Sequence, residues 1–243
     1  MKHYEFHRKV EYPDLGEDAR FSHLGALRIM QEAACLDSSL TGYGPFDVER
    51  NGIAWIICGW KVHLERRPHW GTDLVVSTWP RTMSNHLSER DFIIADASGN
   101  PVGAATSRWL LIDVRTGRVT NVTPEIAAAY PLDNSCRALE EEMAVAGKSP
   151  EGAVETFTYT ALRRDLDMFH HVNNLHYLEL AREALPEAVL AQNLPNVEIL
   201  YKRQIRLGDK VHFLYSFDAA SGKHMVELKN CDGKKSHAVV WFY

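Results

Sequence analysis

The ten residues "DLDMFHHVNN" (165–174) place an acid, two adjacent histidines and two asparagines directly before a run with helical periodicity. These residue types suit proton transfer beside a developing negative charge. His171 falls at the helix start, where the first backbone N–H groups lack intrahelical partners and the macrodipole favours anions. Asp167, four residues earlier, is placed to orient that imidazole by accepting its other N–H, or to act directly as a general base or nucleophile. Read blandly, the same cluster is a capping network, with Asn173 and Asn174 fixing the turn and the helix end.

A metal is not expected here. His170, His171 and His176 lack the i, i+4 pairing with a glutamate and have no partnering cysteines. The four cysteines, Cys35, Cys58, Cys136 and Cys231, form no CxxC pair and read as reduced thiols of a cytoplasmic protein. Net charge is −5 with a pI near 6.2, which argues against a nucleic-acid partner. No apolar stretch is long enough to span a membrane. The opening "MKHYEFHRKVEYPD" carries charges throughout and no apolar signal-peptide core.

The elements that must position this cluster occur twice. Shifting the chain by 151 residues lays "DLGEDARFSHLGALRIMQEA" (14–33) over "DLDMFHHVNNLHYLELAREA" (165–184), matching Asp14 to Asp165, Leu15 to Leu166, Leu24 to Leu175, Glu32 to Glu183 and Ala33 to Ala184. Later landmarks recur in the same order, including a glycine-led strand near Gly71 and Gly208. Each copy reads as a strand, a helix and several more strands. Ser22 caps the first helix, which carries Leu24, Leu27, Met30 and Ala34 at three- and four-residue spacing. The second carries Val172, Leu175, Leu178, Ala181 and Leu185 on one stripe, and Pro186 stops it. Strands are expected at 53–66, 73–83, 87–97 and 102–115, then near 197–207, 210–218, 224–230 and 237–243. The fold class is α+β. Domains are placed at 1–118 and 154–243, with 119–153, rich in proline and acid, as a linker; "CRALEEEMAVAG" within it has helical character.

A tandem helix-and-sheet unit with "HVNN" leading its second helix resembles the acyl-acyl-carrier-protein (acyl-ACP) thioesterases. The resemblance covers nearly the whole chain, through "MQEAA", "GIAWIICGWKV", "RPHWGTDLVVSTWP" and "SRWLLIDVRTGRV" in the first half and "DLDMFHHVNNLHYLELARE" and "YKRQIRLGD" in the second. It implies two tandem hotdog domains, each a long helix wrapped by an antiparallel sheet, with the sheets joined as one. It also implies hydrolysis of fatty acyl-ACP to free fatty acid, without cofactor or metal. The family pattern D-x-N-x-H-V-N-N is matched by Asp167, His171, Val172, Asn173 and Asn174, whereas Phe169 stands where the family has a catalytic asparagine. Gln204 stands where the family carries a glutamate proposed to activate water.

Asp167, His171 and Gln204 are therefore the expected catalytic residues. Gln204 is able to hold water or substrate but not to take a proton, and on the strand 197–207 it shares a polar face with Glu198, Lys202 and Arg206. The resemblance places the acyl tunnel in the first repeat, making Met30, Trp55 and Trp60 candidate chain contacts beside Asn173 and Asn174, although tryptophans at such positions also read as core. The implied partner is an acidic carrier protein bearing a phosphopantetheine arm. Arg163, Arg164, Lys202, Arg203 and Arg206 are the basic residues available to meet it. An acyl-CoA thioesterase and an acyl-binding protein without turnover are the alternatives, and monomer and homodimer are both compatible with the tandem layout.

Overall fold

Ser22 begins the first helix as the sequence predicts: its hydroxyl accepts the Gly25 N–H at 3.0 Å and donates to the Asp14 carbonyl at 2.9 Å. In the computed structural model, which describes residues 3–243, this helix, α1, runs His23–Leu40. Ala26, Leu27, Ile29, Met30, Ala33 and Ala34 are its buried face. Removing each of the larger side chains from water contributes about 1.5–3 kcal/mol. The chain divides into two compact units, one ending at Glu142 and the other Met143–Tyr243.

The first unit contains strands β1 (Tyr4–Lys9), β2 (Ile53–Leu64), β3 (Asp73–Ser84), β4 (Leu87–Asp96), β5 (Pro101–Asp113) and the short β6 (Arg118–Val119). Helices α1, α2 (Val48–Asn51) and α3 (Pro124–Ala129) complete it. Its antiparallel strands lie in the order β1-β3-β4-β5-β2, with β6 on β5, and α1 packs on β3 and β1.

The second unit repeats this plan. It has β7 (Val154–Thr160), α4 (Asn174–Glu183), α5 (Glu187–Leu190), β8 (Asn196–Tyr201), β9 (Lys210–Asp218), β10 (Lys223–Asn230) and β11 (Ser236–Phe242). Its strand order, β8-β11-β10-β9-β7, is that of the first unit read from the other end, and α4 packs on β10 and β11. Each unit is one principal helix laid on an antiparallel sheet, the α+β layout expected.

Three local expectations are corrected. Residues 136–147 are irregular rather than helical, because neighbouring side chains capture their polar groups: Asp91 takes the Ala138 N–H at 3.0 Å, Lys61 pairs with Glu141 at 2.7 Å, and Glu198 takes the Ala144 N–H. Glu198, expected on a polar strand face, is accordingly buried. The helix expected to reach Leu185 ends at Glu183, where Ala184 and Leu185 N–H turn back to Ala181 and Arg182, ahead of Pro186. Among the described residues no helix is long and apolar enough to cross a membrane, and all four cysteines are free thiols.

Candidate active site

Asp165 anchors the segment before α4. Its buried carboxylate receives the Leu162 N–H at 2.6 Å and the Tyr159 hydroxyl at 3.0 Å, while its carbonyl receives the Asn173 N–H at 2.8 Å. Leu166 and Val172 pair antiparallel, which sets Asp167 opposite His171, with the Asp167 N–H on the His171 carbonyl at 2.9 Å. Opposed residues of such a pair put their side chains on one side. The turn closes through His170, at φ 61°, and through the Phe169 N–H, which donates to Asp167 Oδ1 at 2.9 Å. This is the short-range bond by which an aspartate stabilises a turn. It ties the Asp167 carboxylate to backbone, so Asp167 acts on the imidazole through its charge. Burial pushes His171 below its ordinary value, Arg206 adds to that shift, and Asp167 opposes it.

Asn173 caps α4, its side chain taking the Leu175 N–H at 3.0 Å and its carbonyl the His176 N–H at 3.0 Å. Those two groups, expected to point outward unpaired, are already satisfied. The field of the helix terminus remains, but their N–H groups do not form an oxyanion hole.

Gln204 was expected within a strand spanning 197–207; that strand, β8, stops at Tyr201. The ladder breaks because the Lys202 and Arg203 N–H groups both turn onto the His237 carbonyl, at 2.8 and 3.0 Å. The segment beyond is held by side chains. The Tyr177 hydroxyl receives the Ile205 N–H at 3.0 Å and donates to the Arg203 carbonyl at 3.3 Å. His237 Nδ1 lies 3.1 Å from the Gln204 carbonyl. A carbonyl only accepts, so this nitrogen carries the proton. The Val172 N–H bonds to the Ile205 carbonyl at 2.9 Å, joining this segment to the Asp167–His171 turn. Gln204 is thus pinned by its backbone and has an exposed side chain.

Tyr177 and His237 were not singled out from the sequence. The repeat held a signal for the first of them: Tyr177 falls where the first copy has Ala26, so a hydroxyl appears on an otherwise apolar stripe.

The remaining candidates divide between the units. Arg163, Arg164, Lys202, Arg203 and Arg206 are all exposed in the second, and Lys202 Nζ bonds to the Gly147 carbonyl. Phe169 is 49% exposed, so it is not core packing. Met30 and Trp60 are fully buried in the first unit, while Trp55 is half-buried with its Nε1 on the Tyr130 hydroxyl at 3.1 Å. None of these three lines the cavity of about 250 Å³ bounded by His3, Tyr4, Asp37, Thr78, Trp79, Pro80 and Pro131.

Residues 2–130 match the family model for the acyl-ACP thioesterase N-terminal domain, and residues 148–241 match that for the C-terminal domain. The oleoyl-acyl carrier protein thioesterase 2, chloroplastic, of Arabidopsis thaliana is 26% identical over 203 residues, covering 76% of this chain and 55% of its own. The dodecanoyl-[acyl-carrier-protein] hydrolase, chloroplastic, of Umbellularia californica is 24% identical over 235 residues, covering 89% of this chain and 61% of its own. The chain thus spans little more than half the length of these relatives. Among solved structures, an acyl-ACP thioesterase from Bacteroides thetaiotaomicron superposes with a TM-score of 0.86 at 20% identity, covering 98% of this chain and 96% of that one. The 12:0-ACP thioesterase from Umbellularia californica gives 0.84 at 21%, covering 100% and 97%. These likenesses establish the fold as two tandem hotdog units. With both halves matched in order, the chain belongs to the acyl-ACP thioesterase family.

Proposed function

We propose that this protein hydrolyses fatty acyl-ACP to free fatty acid and ACP, a step that ends fatty-acid synthesis, and that the site lies at the turn before α4. The observation that carries this reading is the opposition of Asp167 and His171 across that turn, in a chain whose halves both match the family.

That opposition supports a division of roles. With its pKa lowered, His171 is a neutral imidazole at pH 7 and takes a proton from the attacking water. Asp167, across the turn, stabilises the imidazolium that results. Thioester cleavage then returns the proton to the departing thiolate of the phosphopantetheine arm. The donors offered to the oxyanion are side chains, the Gln204 carboxamide and the Arg206 guanidinium. Tyr177 and His237 act through Gln204 by fixing its backbone. Arg163, Arg164, Lys202 and Arg203 supply the basic surface for the acidic carrier, and Met30, Trp55 and Trp60 belong to the acyl side of the first unit. Four free thiols suit a reducing compartment such as the cytoplasm.

The test is free-thiol release from a ladder of medium- to long-chain acyl-ACPs, with the matching acyl-CoAs in parallel. Neutralising Arg163, Arg164, Lys202 and Arg203 is expected to depress turnover of acyl-ACP much more than of acyl-CoA. Equal losses would remove the carrier assignment. Tight acyl-ACP binding without thiol release would make the protein an acyl-thioester binder.

A further inference from the structure

Three unlike donors converge in the first unit, apart from the site above. His3 Nε2 lies 3.0 Å from Asp133 Oδ2 and 4.0 Å from Cys136 Sγ, and all three atoms fall within 4.8 Å of one another. Each is supported. The His3 ring stacks on Trp79 at 4.0 Å between centroids and 13° between planes. The other oxygen of Asp133 receives both the N–H and the hydroxyl of Ser135, at 3.0 and 2.6 Å, and its own N–H is held by the Pro80 carbonyl at 3.1 Å. Ser135 and then His3 hold the carboxyl well below the usual carboxylate range. Second-layer hydrogen bonds of this kind orient ligating carboxylates in metal sites.

The arrangement does not suit nucleophilic catalysis. An activated thiol needs its base on one ring nitrogen and the orienting carboxylate on the other. Here both groups address Nε2, and one nitrogen cannot donate to the carboxylate while taking the thiol proton. A cation between the three satisfies all of them together. With the usual zinc bond lengths and a tetrahedral angle, N···O would be about 3.3 Å and N···S about 3.6 Å. The two separations made by His3 Nε2, 3.0 and 4.0 Å, need to change by only a few tenths of an ångström, and the Asp133 oxygen and Cys136 Sγ already lie within 4.8 Å of each other.

We propose that His3, Asp133 and Cys136 form a binding site for a divalent transition-metal ion of zinc-like character, with the fourth position open to water. A thiolate–imidazole–carboxylate set selects such ions over magnesium and calcium. The exposed Cys136 gives the ion a route in, and the bound ion would clip the start of β1 to the segment after α3. The sequence hid the set because His3 lies 130 residues before Asp133.

The test is a cobalt(II) titration of tag-free, chelator-treated full-length protein. One equivalent is expected to raise a near-ultraviolet thiolate-to-cobalt band that zinc then displaces. Cys136→Ser abolishes the band, and His3→Ala weakens binding at least tenfold. Cys231→Ser, another exposed thiol, retains the band. Zinc should raise the melting temperature of the wild type in a concentration-dependent way and leave that of Cys136→Ser unchanged. Absence of the band, its persistence in Cys136→Ser, or saturation only at millimolar metal would overturn the site. None of these readouts depends on thioester hydrolysis.

Discussion

Segments 14–22 and 165–173 share one pattern of backbone hydrogen bonds and, after the matched Asp-Leu pair that opens each, carry different side chains. In both, an aspartate carboxylate takes the N–H three residues earlier: Asp14 from Glu11 at 2.9 Å, Asp165 from Leu162 at 2.6 Å. In both, the turn closes with matched bonds, Gly16 N–H to Arg20 and Asp167 N–H to His171, at 2.8 and 2.9 Å. A non-glycine residue, Ala19 or His170, sits in the left-handed region at the same place, with φ of 58° and 61°. The Phe21 and Val172 N–H groups then bond to the carbonyls of Pro68 and Ile205, both at 2.9 Å. Where the second copy has Asp167 and His171, however, the first has Gly16 and Arg20. Where the second has Phe169 and Gln204, the first has Asp18 and Arg67, joined by two bonds at 2.6 and 2.9 Å. The hydrogen bonds shared by both copies build the turn; the side chains of Asp18 and Arg67 are further tied in an ion pair in the first copy, and the matched Phe169 and Gln204 form no such pair in the second.

The largest effect expected from this contrast is on turnover. Asp167→Ala and His171→Ala should each lower kcat/KM about 10²- to 10⁴-fold, with melting temperatures close to wild type, while Arg20→Ala leaves turnover unchanged. Steady-state assays beside thermal melts check this, and a comparable loss in Arg20→Ala would break the contrast.

Next come the positions where the copies pack differently. A Cβ on Gly25 would lie 2.5 Å from the Asp14 carbonyl oxygen, whereas the matched residue of the second copy is His176. Gly25→Ala should cost about 1–3 kcal/mol in denaturant unfolding, and His176→Ala under about 1 kcal/mol. Tyr177→Phe leaves the buried Ile205 N–H without its acceptor, at about 1–3 kcal/mol. It should also lower kcat more than it changes KM, since Gln204 loses its flanking support. A loss of stability with unchanged kcat would reduce Tyr177 to packing.

The pH profile sharpens the contrast further. If His171 is the base, kcat/KM rises with pH as the imidazole loses its proton, with a midpoint below the ordinary histidine value. Arg206→Ala removes a lowering influence and should move the midpoint up; Asp167→Asn removes a raising one and should move it down. A midpoint that neither change moves would assign the titration to another group.

The smallest effect belongs to the first copy's ion pair. Burial works against the Asp18 charge, yet Arg67 holds its pKa below the ordinary value. A depressed carboxylate stabilises the fold above its unfolded pKa and loses that contribution as pH falls through the folded one. Asp18→Asn should therefore cost under about 1 kcal/mol at pH 7 for so exposed a pair, and the difference from wild type should vanish in acid.

Much of this was legible without coordinates, for local reasons. Ser22, the spacing of Leu27 and Met30, and the 151-residue register between Asp14 and Asp165 all report forces acting within a few turns or strands. The places where the reading failed are those where distant side chains decide. Alternation carried β8 through Gln204, but His237 captures the Lys202 and Arg203 N–H groups and Tyr177 that of Ile205, so the ladder ends early. The acidic run 140–142 looked helical until Lys61 and its neighbours drew it onto the sheet. Asp167 and His171 were readable as a pair, yet only the structure places the Phe169 N–H on the Asp167 carboxylate.

The most direct test gives the second turn the side chains of the first. Asp167→Gly with His171→Arg should keep the backbone, the melting temperature and acyl-ACP binding, and should lose thiol release from acyl-ACP by at least 10²-fold. Turnover at the wild-type rate in that double variant would contradict the account, because the turn would then serve the fold alone and the chemistry would lie elsewhere.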